Sequence, residues 1–178
     1  MRMRRIILVL LFMVCSTFSV AFTQDINLLP KYGLFPKSEA QKKADAQFLA
    51  TIDDHYKGNR KKAADDVSVR GWQLLRQGDI SNAMRRFNQA WLIDSSNGTA
   101  LWGMAVIQAG SGKLENALML FSEAEALVGD DIDFSADYAK ALGIAGVQTR
   151  NNALLDDAFT RFERIHERAP QHTLNLQN

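Results

Sequence analysis

The stretch GDISNAMRRFNQAWLIDSSN, residues Gly78–Asn97, decides the fold. It opens on a turn glycine, carries Ala83, Phe87 and Ala90 at helical spacing, and closes on polar turn residues. A helix with one apolar stripe must bury it against something. The partner is the preceding stretch 65–77, where Gly71 faces Ala83. Small residues at both positions let two backbones approach closely, and Phe87 fills the wider part of the wedge between them. Gly78 ends the first helix because the left-handed conformation needed there carries no side-chain penalty in glycine.

Sliding the sequence along itself by 34 residues repeats the pattern. Gly71 falls on Ala105 and Ala139, Gly78 on Gly112 and Gly146, Ala83 on Ala117, Phe87 on Phe121, and Ala90 on Ala124. A third copy starts at Tyr138, Ala139, Leu142 and Gly146, but its second helix arrives late, at Ala158, Phe162, Ile165 and Pro170. The seven extra residues amount to about two helical turns. Ala153, Leu154 and Leu155 continue the apolar stripe backwards, which places an irregular turn near 148–151 and lengthens the second helix.

The period of 34 and the internal order of small residue, turn glycine and Ala-x-x-x-Phe-x-x-Ala resemble the tetratricopeptide repeat family over roughly residues 64–170. The resemblance implies an all-α, right-handed superhelix of about three helix hairpins (64–97, 98–131 and 132–172). It also implies a protein-binding module rather than an enzyme. Phe87, Phe121 and Phe162 would fill the wedges, Gly146 would end a helix as Gly78 and Gly112 do, and Trp91 and Leu127 would be core. Three hairpins are about the minimum for a stable array.

Outside the repeats, 22–37 contains two of the three prolines and Gly33 and reads as a linker. Ser38-Glu39-Ala40-Gln41 is a capping box that starts a helix over 38–58. Ala40, Ala44, Phe48, Leu49, Ile52 and Tyr56 form its stripe, Gly58 is its stop, and the helix can cap one end of the array. The tail 173–178 offers only Leu174 and Leu176, so the other end is undercapped and could pair two copies into a homodimer.

Residues 1–21 have the layout of a secretory signal peptide: Arg2, Arg4 and Arg5, the apolar run Ile6–Val14, then Ser19 and Ala21 before a cut at Phe22. Ala21 and Thr23 give a weaker alternative cut before Gln24, and an uncleaved anchor is the other alternative. The expected address is periplasmic or secreted, with no membrane insertion after cleavage. Val14 before Cys15 departs from a lipobox, and removal of the signal would leave no cysteine for disulfides, thiol catalysis or zinc. The rest of the chain carries 18 bases against 20 acids, which argues against a nucleic-acid partner.

No catalytic constellation and no cofactor site is evident. His55, His166 and His172 are not paired at metal-binding spacing; His166 near Glu163 and Glu167 reads as a solvated face, as do Lys42 and Lys43. Gly110-Ser111-Gly112-Lys113 lacks the first glycine and the Ser/Thr of a phosphate loop and reads as an interhelical turn. Asn97-Gly98-Thr99 is a glycosylation sequon by pattern and a turn by context. Asp130, Asp131 and Asp133 precede a helix and favour the positive end of its dipole.

The concave groove that the resemblance implies would be lined by Asp65, Ser68, Val69, Trp72 and Arg76, then Thr99, Trp102, Val106 and Gly110, then Asp133, Ala136, Asp137 and Lys140. The residues expected to hold a partner are Trp72, Trp102, Val106, Asp133, Asp137 and Lys140. Chaperone-adaptor members of the family hold a partner's terminal carboxylate with basic and amide groups. Here Ser68, Trp72, Gly103, Asp133 and Asp137 occupy the matching places, so an apolar or aromatic protein segment with basic residues suits the groove better. Two alternatives stay open: the tryptophans are covered by the protein's own N-terminal segment, or the chain is a self-associating structural component.

Overall fold

Side-chain caps set where the helices begin. In the computed structural model, which describes residues 25–171, α1 (Glu39–Tyr56) starts at Ser38, whose Oγ accepts from Gln41 N while Gln41 Oε1 accepts from Ser38 N at 2.8 Å. Asn59, Asp79 and Asn97 cap α2 (Arg60–Arg76), α3 (Ile80–Ile93) and α4 (Gly98–Gly110) in the same way. Lys113 precedes α5 (Leu114–Val128) without a side-chain cap. Asp131 and Asn151 cap α6 (Ile132–Thr149) and α7 (Asn152–Arg168). The described residues are all-α and contain no strand.

The helices pack as consecutive pairs, α2 on α3, α4 on α5 and α6 on α7, with α3 against α4 and α5 against α6 joining one pair to the next. Alanine makes the close approaches: Ala83, Ala90, Ala105, Ala117 and Ala124 are fully buried. The Phe87 ring lies against two glycines at once. A Cβ on Gly71 would stand 2.6 Å from it and one on Gly103 only 2.2 Å, so α2 and α4 both rest on this ring. Phe121 repeats the role one pair on, also fully buried, and stacks on Tyr138 with centroids 5.0 Å apart. Gly78 and Gly112 lie in the turns at φ 79° and 73°, a conformation that costs other residues a steric penalty glycine avoids.

The third pair departs from expectation at Gly146. This glycine does not end a helix; it lies inside α6, where a Cβ would stand 2.7 Å from the Leu155 side chain. The helix runs on to Thr149, Arg150 takes the left-handed conformation (φ 53°), and Asn151 caps α7. The turn falls where the irregular stretch was expected, but the extra residues lengthen both helices: α6 and α7 have 18 and 17 residues against 13 and 15 in α4 and α5. Phe162 is only half-buried, unlike Phe87 and Phe121, because no further helix pair covers it among the described residues. Leu127, expected in the core, is 46% exposed, whereas Trp91 does pack against the core.

The stretch expected as a linker is, over its described part, a strap folded onto α3. It forms two 3-10 turns, Ile26–Leu28 and Pro30–Leu34. The buried carboxamide of Asn88 holds the strap by its backbone: Nδ2 donates to the carbonyls of Asn27 (2.9 Å) and Leu29 (2.8 Å), and Oδ1 accepts from Tyr32 N (3.4 Å). Asp25 pairs with Arg85, Lys31 with Glu123, and Tyr32 is buried. Lys31, Tyr32, Gly33 and Leu34 all lie in the left-handed region, a strained run for three non-glycines that these contacts must offset. Helix α1 packs its Phe48, Leu49, Ile52 and Tyr56 against the core beside α2 and α3. The proposed signal (1–21), His172 and the tail (173–178) lie outside the described residues. No helix among those described is long and apolar enough to cross a membrane.

Candidate functional site

Helices α2, α4 and α6 bring an aromatic ladder to one face. Trp72 and Trp102 meet edge to face with ring centroids 4.7 Å apart. Trp72 also packs edgewise on Phe87, and Trp102 on Phe134, both at 5.7 Å. Each indole N–H is used: Trp72 Nε1 donates to the Thr99 carbonyl (3.3 Å) and Trp102 Nε1 to Asp137 Oδ2 (2.9 Å). Such edge-to-face contacts and satisfied N–H groups fix the rings, which are half-buried rather than sealed in the core.

In front of the ladder lies an open cavity of about 540 Å³, lined by Val69, Trp72, Arg76, Thr99, Trp102, Asp131, Asp133, Ala136 and Asp137. Four of the six residues expected to hold a partner therefore come together: Trp72, Trp102, Asp133 and Asp137. Val106 is outside the lining, half-buried and packed against the core. Lys140 is outside it too, exposed on α6 one turn from Asp137, close enough for its charge to act on that carboxylate.

Burial holds the Asp137 carboxyl above its usual range, and the negative charges of Asp133 and Asp131 push the same way. The Trp102 hydrogen bond and Lys140 oppose them without winning. The wall formed by α6 is thus acidic, and Asp137 gives it a carboxylate already partly desolvated. Asp131 was missed as a lining residue because its first duty, accepting from Phe134 N at 2.9 Å, reads from sequence as a helix cap.

Two residues expected in the groove, Ser68 and Asp65, do other work. Ser68 is fully buried and donates to Asn97 Oδ1 (2.8 Å), while Asn97 Nδ2 donates to Asp65 (2.7 Å). This chain ties α2 to the start of α4 and also spends the Asn97 carboxamide, 5% exposed, on structure. Gly110 lies outside the cavity lining. The strap and α1 do not cover the tryptophans' cavity: neither contributes a residue to its lining, and both pack elsewhere.

Among the described residues no three His, Cys, Asp or Glu side chains gather as a metal-ligand set. Compared with known proteins, the chain matches no family model, no curated sequence and no solved structure.

Proposed function

We propose that α2–α7 form three tetratricopeptide-type repeats in a right-handed superhelix, and that the Trp72–Trp102 cavity holds a segment of another protein without catalysis. The reading rests on the 34-residue correspondence of Phe87 with Phe121 and of Gly78 with Gly112, which occupy like environments. Its single most telling observation is the pair of half-buried, hydrogen-bonded indoles beside a partly desolvated carboxylate. Rigid aromatics lose little entropy on binding, and an acidic wall favours a basic side chain in the guest. A periplasmic or secreted adaptor fits the signal-like N-terminus, with no cofactor and no nucleic acid involved.

The test is selection of peptides from a random library on the immobilised protein. Enrichment of apolar or aromatic residues next to Arg or Lys is expected, lost in Val69→Arg, which fills the cavity mouth from an exposed position. Acidic winners, or binding indifferent to Val69→Arg, would sink the idea. The second reading, self-association, is favoured by the exposed Ile144, Val147 and Phe159 on the last pair, and concentration-dependent mass in solution separates it from the first.

A further inference from the structure

A second cavity, about 390 Å³, lies between the strap and the α4–α5 turn, with Leu29, Leu34, Phe35, Met119 and Leu120 as its apolar wall. Gln108 lines it from α4. This residue is only 4% exposed, yet its carboxamide has no hydrogen-bonding partner among the described residues. Folded proteins rarely leave such a group unsatisfied, because it forfeits water and receives nothing in exchange.

Lys113 stands at the rim, next to Gln108, whose carbonyl accepts from Lys113 N at 2.9 Å. Its ammonium has no ion pair or hydrogen bond among the described residues, whereas Lys31, which also lines the cavity, has its ammonium committed to Glu123. Lys113 is also the N-cap of α5, the one α-helix described whose start no side chain caps. The first-turn amides of a 15-residue helix and the positive end of its dipole are therefore open to an acceptor. A shallower depression over Gly112, Lys113, Leu114, Glu115 and Asn116 adjoins the cavity and shares Lys113 and Asn116 with it.

An apolar pocket with a buried unused amide, a free ammonium and an uncapped helix start at one end matches one kind of molecule. We propose that this cavity binds an aliphatic monocarboxylate, its chain along Leu34, Phe35, Met119 and Leu120 and its carboxylate between Gln108, Lys113 and the first turn of α5. The volume sits near the lower end of small-molecule sites, which suits a free acid of moderate chain length rather than a polypeptide. Two carboxylates oppose the acid and limit affinity: Glu115 in the same turn, and Glu123 on the cavity wall, the latter offset by its pair with Lys31.

Calorimetric titration of the full chain with decanoate, decan-1-ol and an acetylated peptide ending in leucine tests the proposal. Decanoate is expected to bind one to one and more tightly than the alcohol or the peptide. Lys113→Gln should weaken decanoate about fivefold and leave the alcohol unchanged, and Glu115→Gln should tighten it. Gln108→Leu should weaken it further while the melting temperature holds or rises, since an unsatisfied amide is removed. Val69→Arg, in the other cavity, should change nothing. Failure of decanoate to bind, equal binding of the alcohol, tighter binding of the peptide, indifference to Lys113→Gln, or a fall in melting temperature with Gln108→Leu would each overturn it.

Discussion

The indole N–H of Trp102 donates to Asp137 at 2.9 Å, so a residue of α4 and a residue of α6 share one polar contact at the wall of the groove. The bond stabilises the ionised carboxylate, yet burial outweighs it and the Asp137 carboxyl titrates above its usual value of 3.8. A raised folded-state value means that the folded protein holds this proton more tightly than the unfolded chain does. Asp137 therefore adds stability as pH falls through its raised value toward the usual one, and the addition is complete below the latter. Asp137→Asn, neutral throughout, should lack that gain. Urea denaturation in the acidic range, compared between wild type and Asp137→Asn, is expected to show the wild type improving relative to the variant as pH drops. The opposite slope would mean that the Trp102 bond dominates after all.

Phe87 gives a sharper steric test. Gly103→Ala and Gly71→Ala each drive a methyl into its ring, at a cost of about 1–3 kcal/mol, and should lower the melting temperature by several degrees. Gly110→Ala, with nothing within 4 Å of the new Cβ and no left-handed φ, should leave it unchanged or raise it. Thermal unfolding of the three variants separates packing from propensity.

Ala117 is fully buried where α5 meets α4. Ala117→Arg places a charge in a contact with no room for it and should remove several kcal/mol from a total of about 5–15 kcal/mol. An unchanged melting curve by circular dichroism would place the repeat register elsewhere.

The strap can be read through Tyr32. Burial first, and the nearby Asp45 charge second, push its phenol up to about 12 from 10.0. The sign follows: the stabilisation is whole below pH 10 and is lost as pH rises through the folded value. By ultraviolet absorbance Tyr32 should titrate near 12, with Tyr138, which burial also raises, above its usual range as well. In Asn88→Ala, which frees the backbone at Asn27, Leu29 and Tyr32, the Tyr32 step should return toward 10.

Lys113 sets stability against binding. Lys113→Asn supplies the missing cap of α5 and should add about 1 kcal/mol, seen in a urea midpoint, while removing the charge that the second cavity offers.

What the sequence made legible was what sterics alone dictate. Gly71, Ala83, Phe87 and their equivalents 34 residues on must be small or aromatic for the pairs to close, and that constraint is written in residue size. Trp72, Trp102, Asp133 and Asp137 share a helical phase, so their meeting could be read as well. Gly146 misled because one residue type serves two purposes: a left-handed turn and a close approach, here by Leu155. The Ser68–Asn97–Asp65 chain and the grip of Asn88 on the strap were hidden for another reason. A polar side chain that seeks another side chain 29 or 32 residues away, or a backbone 59 or 61 residues away, leaves no local pattern.

The double contact of Phe87 also bears on the groove from behind. One ring separates α2 from α4, and Trp72 and Trp102 project from those same two helices. Its thickness is therefore the gauge that spaces the two indoles. A slimmer side chain at position 87 would let the two helices close up and shift the touching indoles together, reshaping the cavity they line without replacing any of its atoms.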